Sequence, residues 1–257
     1  MKIGLKRVRG LLTKENRKSL GLFLVEGVRL VEEVLVSPLT VECLFHVEAD
    51  PDSRLFRVIE AAASDGIPTQ SITQKELDAI CDTRTPQGVV AVARTPTWTE
   101  EDVWRSGTGD VVVVDNVRDP GNLGTLLRSA EAAGARGVLL MPGTVELTSP
   151  KVVRGSMGAF FRLPVSYTHS IDDVLRGARS AGIPLVATSS HGGEPASLLL
   201  KWDAVALVLG GEAEGVARDW TVVCDCIVSL AQKRGTESLN VAVAGSIFLF
   251  RHLWRAV

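Results

Sequence analysis

The sequence predicts an α/β protein, a parallel-sheet domain preceded by a smaller α/β domain, and three observations carry the prediction. From residue 111 onward, apolar runs alternate with helical stretches, the pattern of strands covered on both faces by helices. Residues 94–110, "RTPTWTEEDVWRSGTGD", cluster Pro, Thr, Gly and acids in the manner of a linker. The half before them has short, mixed elements of its own. The expected organisation is a first domain over 1–95, a linker over 96–109 and a second domain over 110–257.

In the first half a basic helix leads to the strand "LFLVEG" (22–27). The helix "VRLVEEVL" then leads to the strand "VECLFHV" (41–47). The helix "RLFRVIEAAASDG" ends at Gly66 with Pro68 beyond, a regular stop signal. The apolar, β-branched run "GVVAVART" closes the half. In the second half the strands are "VVVVDN" (111–116), "GVLLMP" (137–142), "PLVATSS" (184–190), "AVALVLGG" (204–211) and "CIVSLA" (226–231). Ligands of such sheets bind in the loops at the carboxyl ends of strands. The informative loops therefore follow Asn116, Ser190, Gly211 and Ala231.

Composition narrows the function classes. The 257 residues are 46% hydrophobic and 23% charged, with a net charge of −2. The composition can form a core, and the net charge argues against coating of nucleic acid by bulk charge. A local patch is present all the same. The first twenty residues hold seven cations against Glu15 alone, a net of +6. Lys6, Arg7, Arg9, Lys14, Arg17 and Lys18 form either a solvated helix face or an arm that contacts phosphates. No apolar segment of secretory type follows them. The uncharged stretch Ser238–Phe250 is shorter than the ~20 residues a membrane span needs. Cys43, Cys81, Cys224 and Cys226 lack zinc-site spacing, and the four histidines are scattered, so neither a metal nor a membrane partner is expected. Reduced thiols fit a cytoplasmic protein.

Three loops can carry chemistry. "DNVRDPGNLGTLLRSAEAAGARG" (115–137) makes a strand, a turn and a helix, with Asn122 a candidate N-cap. Leu123, Leu126, Leu127 and Ala130 form the core face of that helix. Arg128 lies roughly 200° around from Leu126 and points away from the core, toward Glu131 or toward a ligand. The spacing is wrong for a dinucleotide-binding turn. "LVLGGEAEGV" (207–216) breaks a strand at Gly210-Gly211 and follows with Glu212, either a tight turn or a close backbone approach to a ligand. "RGTESLNVAVAGSIFLF" (234–250) places a polar cluster at the mouth of an apolar helix, where it caps the helix or touches a ligand.

Taken together, "NVRDPGNLGTLLRSAEAAG", "LGGEAEG" and "ESLNVAVA" resemble the three motifs of the SpoU (TrmH-like) family of RNA 2′-O-ribose methyltransferases, in the SPOUT superfamily. "FLVEGVRLVEEVL" and "TPQGVVAVAR" resemble that family's ribosomal-protein-like substrate-binding domain. The resemblance covers about residues 5–257. It implies a trefoil-knotted carboxyl-terminal domain, S-adenosylmethionine as cofactor, and RNA as substrate, ribosomal in preference to transfer RNA. It also implies a homodimer through the carboxyl-terminal domain. A catalytically silent RNA-binding protein of the same fold is the alternative.

By the same resemblance Asn122, Arg128, Glu212, Ser238 and Asn240 form the catalytic set. Thr188, Gly210, Leu230 and Leu239 fall at cofactor-contact positions. Ser238 is also expected to cap the last helix. The sequence departs from the family's usual Ile-Pro-Met at Leu230-Ala231-Gln232, and Arg234 stands at a usual glycine.

Overall fold

The computed structural model describes residues 3–211, 215–232 and 238–251. In chain order the elements begin with α1 (Leu5–Gly10), α2 (Lys14–Leu20), β1 (Leu22–Glu26), α3 (Val28–Leu35) and β2 (Val41–His46). Then come α4 (Arg54–Ser64), β3 (Thr69–Ser71), α5 (Gln74–Ile80), β4 (Val89–Arg94), α6 (Glu100–Arg105) and β5 (Val111–Asp115). There follow α7 (Pro120–Ala132), β6 (Gly137–Leu140), α8 (Pro150–Gly155), β7 (Val165–Tyr167), α9 (Ile171–Ala181) and β8 (Leu185–Ser189). The chain closes with β9 (Glu194–Pro195), β10 (Ala206–Gly210), α10 (Arg218–Val223), β11 (Cys226–Ser229) and α11 (Val241–Leu249).

Contacts divide the chain into two units. One holds 1–96 together with 146–162; the other holds 97–145 with 163–257. The stretch read as a linker thus carries α6, whose Val103 is fully buried in the core of the second unit. Thr99 and Asp102 form a capping box that starts this helix. A helix that short has little intrinsic stability, and packing rather than composition decides it.

The first unit is a four-stranded sheet in the order β1-β4-β2-β3. Its β1 is buried on both faces. Leu22 and Leu24 join a core with Val8 and Leu11 from the amino-terminal helical region and Leu77 and Ile80 of α5. Phe23, on the alternate face, meets Phe160 and Phe161 at ring-centroid distances of 5.3 and 6.2 Å. Residues 146–162 therefore supply part of the cover on the second face of this sheet, beside α3 and α4.

Arg17 shows the same dependence. Its side chain is buried, pairs with Glu146 through Nε and Nη2, and donates from Nη1 to the carbonyls of Leu11 and Leu12 at 2.8 and 2.9 Å. The expectation that Arg17 contacts phosphate is corrected: its guanidinium is consumed by closing the α1–α2 turn. Lys6, Arg7, Arg9, Lys14 and Lys18 are exposed.

The second unit is a seven-stranded parallel sheet in the order β7-β6-β5-β10-β8-β11-β9. Val111, Val112, Val113 and Val114 are all fully buried, as a strand flanked on both faces requires. The five expected strands are present, each one to three residues shorter than its apolar run. β7 and β9 add the edges, and three or two residues leave no periodicity to read. In register, Gly210 sits beside Asp115 and Ser189 beside Ser229, so the carboxyl ends of β5, β10, β8 and β11 form one rim. Residues 212–214 and 233–237, where the resemblance places the knotted loops, lie outside the described residues.

Breaking the Arg17–Glu146 pair leaves a buried carboxylate without its partner. Arg17→Met should destabilise the chain by about 3 kcal/mol, whereas Lys18→Ala should change stability by less than about 0.5 kcal/mol, as measured by denaturant unfolding.

Candidate functional site

The site is built where α7 and α11 begin. The chain leaves β5 through Asn116, a non-glycine residue in the left-handed region at φ 57°. Short polar side chains tolerate that conformation. The Asn116 side chain accepts from Arg118 Nε at 3.1 Å, and Val117 is fully buried. Asp119 then caps α7 by accepting from the Asn122 amide at 2.9 Å, and Pro120 occupies the first turn. The assignment of the cap to Asn122 is therefore corrected by three positions. With the cap supplied upstream, the Asn122 carboxamide is available for another purpose.

That purpose is Asn240. Its Oδ1 accepts from the amides of Ala242 and Val243 at 2.9 and 3.2 Å, so Asn240, not Ser238, caps α11. The oxygen is fixed by those two donors, which leaves Nδ2 to donate to Asn122 Oδ1 at 2.9 Å. Ser238 is exposed and makes no cap bond among the described residues. Further along, the hydroxyls of Ser129 and Ser246 meet at 2.7 Å. Since 122 pairs with 240 and 129 with 246, the two helices run parallel. Gly245 sets their closeness: a methyl at this position would lie 2.5 Å from Leu126 Cδ2 and 2.8 Å from Leu209 Cδ1.

Arg128 is exposed on α7, on the side away from the buried Leu126 and Leu127, as its position in the helix predicts. Its guanidinium makes no hydrogen bond or ion pair among the described residues. Both helix amino-termini, where backbone N–H groups favour negative charge, open at the same rim. Glu212, the remaining polar residue of the motif set, lies outside the described residues.

The expected cofactor positions line the neighbouring strand ends. At Gly210 an added Cβ would lie 2.1 Å from the carbonyl carbon of Gly215, and at Gly211 it would lie 2.3 Å from the carbonyl oxygen of Asn116. Gly211 and Gly215 pair in an antiparallel bridge. Only glycine permits backbones to close this tightly. The Thr188 hydroxyl donates to the Val208 carbonyl at 2.9 Å, so its side chain belongs to the sheet and its backbone is what a ligand can reach. Leu230 is half-buried, and Leu239 is 38% exposed beside the cap of α11. Backbone polar groups at strand ends plus apolar side chains fit a purine and a sulfonium. The purine needs cover and a few directed hydrogen bonds, and the cationic sulfur needs no anion.

Among the described residues other nucleophile and ligand sets do not form. Burial pushes the Cys224 thiol up to about 12, with Asp225 adding to the effect, and Cys226 is raised for the same reasons. Neither is a thiolate at neutral pH. Among the described residues no group of three His, Cys, Asp or Glu could hold a metal ion. Surface hollows beside Trp104 and Gly177 in one unit, and beside Ile72 and Thr73 in the other, include no residue of the motif set. Asn116 and the Ser129–Ser246 contact leave no mark in the sequence. A lone asparagine at a strand end signals nothing about φ, and two serines 117 positions apart signal nothing about contact.

The model of the SpoU rRNA Methylase family matches residues 110–250, and that of an MRM3-like substrate binding domain matches 3–91. The 23S rRNA (guanosine(2553)-2′-O)-methyltransferase RlmP of Bacillus subtilis is 31% identical over 93% of this chain and 91% of its own. An AdoMet-bound rRNA methyltransferase from Sinorhizobium meliloti is 30% identical, with a TM-score of 0.84 over 97% of this chain and 94% of its own. The SpoU methyltransferase AviRb of Streptomyces viridochromogenes, in complex with AdoMet, is 26% identical, with a TM-score of 0.86 over 100% of this chain and 98% of its own.

The two tasks of Asn240 separate by substitution. Asn240→Asp keeps the capping oxygens and loses the donor to Asn122, so its unfolding free energy should stay within about 0.5 kcal/mol of the parent. Asn240→Ala should lose about 1 kcal/mol in the same denaturation measurement.

Proposed function

The chain belongs to the SpoU rRNA methylase family, and from that premise we propose that it methylates a ribose 2′-hydroxyl of ribosomal RNA using S-adenosylmethionine. The observation that carries the reading is the Asn122–Asn240 bond. It joins the first and third motifs of the sequence at the rim where β5, β10, β8 and β11 end.

S-adenosylmethionine supplies a methyl group made electrophilic by a positive sulfur, so the acceptor hydroxyl needs orientation and loss of its proton. Gly210, Leu230, Leu239 and the backbone at Thr188 would hold the cofactor. Asn122 and Asn240, fixed on each other, set the geometry of the rim. Arg128 is the cation of the set. A guanidinium is a poor base in a protein, so Arg128 anchors the target phosphate and stabilises the developing alkoxide, while the proton passes to solvent. Glu212 and Ser238 complete the polar set by resemblance.

Ribosomal RNA is preferred over transfer RNA because the relatives with assigned substrates, from Bacillus subtilis and Xylella fastidiosa, carry 23S rRNA in their names. The match of the first unit to a substrate-binding domain supports the same choice. Exposed Lys6, Arg7, Arg9, Lys14 and Lys18 would engage phosphates there.

A homodimer is proposed through α11, where Val243 is 50% exposed on an otherwise apolar helix and Leu239 is exposed just before it. Light scattering at micromolar concentration should give twice the mass of the 27.5 kDa chain; a monomer would contradict the dimer. A cytoplasmic site of action follows from the substrate. No helix among the described residues is long and apolar enough to cross a membrane.

Labelled S-adenosylmethionine should transfer its methyl to total ribosomal RNA, at a position that maps as a single 2′-O-methyl nucleotide. Arg128→Ala should lower kcat by on the order of 10²–10³. Arg128→Lys should recover little of that loss. Near-full activity with a shifted basic limb of the pH–rate profile would instead make Arg128 the base. Retained RNA binding without methyl transfer by the parent protein would leave only the silent binding module.

A further inference from the structure

A buried ion pair lies at the end of the second unit's sheet opposite the motif loops. Asp110 directly precedes β5 and Arg251 closely follows α11; their side chains are 5% and 4% exposed. The guanidinium forks onto the carboxylate: Nη2 donates to Oδ1 at 2.7 Å, and Nη1 donates to Oδ2. Nη1 also reaches the Phe248 carbonyl at 3.3 Å. The Val205 amide, just before β10, donates to the same Oδ1 at 2.8 Å. One carboxylate thus ties together the starts of β5 and β10 and the end of α11. The opposite ends of these three elements lead to Asn116, Gly210 and Asn240.

Stability alone does not account for this arrangement. Two buried charges are costly to desolvate, and apolar residues of similar volume generally seal such a position as well or better. Arg251 Nε is moreover buried without a partner among the described residues, a cost the fork does not offset. What a bidentate fork supplies and an apolar contact does not is a fixed rotation and height.

We infer that Asp110 and Arg251 are positioning residues that hold α11 at the rotation and height where Asn240 meets Asn122. The helix is a rigid lever of about 15 Å. An error at its lower end becomes an error at the capping asparagine. The inference rests on the reading of Asn122 and Asn240 as part of the site.

The test uses the full chain and two variants, Asp110→Leu/Arg251→Met, which fills the same space without charge, and Arg251→Lys, which keeps the charge and loses the fork. Amide hydrogen exchange reports on the far end of the helix without requiring activity. Both variants should keep a cooperative unfolding transition. Protection of the Ala242 and Val243 amides should fall by about tenfold, while α9 is unchanged. With ribosomal RNA as substrate, kcat should fall by about tenfold and KM should hardly move. In an Asn240→Asp background the further loss of kcat should vanish, because the pair acts through that side chain. Unchanged protection at Ala242 and Val243 in either folded variant would overturn the inference. So would kcat losses that add in full to that of Asn240→Asp. If the parent protein transfers no methyl group, the proposed reaction fails, and the exchange experiment still decides whether the pair positions α11.

Discussion

The seating of α11 against α7 is the contact on which the site depends. The two helices lie 118 residues apart at the Asn122–Asn240 bond, yet run parallel from a common rim. Their closeness requires Gly245, since any side chain there would press into Leu126 and Leu209. Glycine in a helix interior costs up to about 1 kcal/mol relative to alanine. The packed contact and the paired serines offset that cost. Without this docking, the first and third motifs would be two unrelated helix starts.

The capping chemistry explains why the asparagines are available. Helix amino-termini leave amides without partners, and some side chain must satisfy them. In α7 Asp119 does so, which leaves the Asn122 carboxamide to face its neighbour. In α11 a single asparagine does both tasks, its oxygen on the helix and its nitrogen on Asn122. Aspartate or serine would cap as well but would offer no N–H donor of this kind. The choice of amide at these positions is therefore a consequence of geometry as much as of reaction chemistry.

Charge is distributed according to task. The chain is net negative, while exposed cations gather on α1 and α2. One member of that run, Arg17, is internal and serves the fold. Asp110–Arg251 is likewise internal, at the end of the sheet away from the motif loops. The described positions proposed for the cofactor are backbone and leucine, consistent with a ligand whose reactive atom already carries a positive charge.

Much was legible in the linear pattern. The valines of 111–114 and the other apolar runs announced a sheet covered on both sides, because burial on both faces demands unbroken apolar sequence. The motif residues Asn122, Arg128, Gly210 and Asn240 stood out by type and order, and the outward aspect of Arg128 followed from helical periodicity. The sequence alone thus determined the fold class, the longer strands and the residues to inspect. The tertiary structure decided which cation was buried, which residue capped each helix, and that 146–162 completes the first unit instead of the second. It also brought Asp110 to Arg251 across 141 positions. These outcomes turn on long-range contacts that satisfy buried charges and unpaired amides, and no local pattern specifies the partner of a group that lies a hundred residues away.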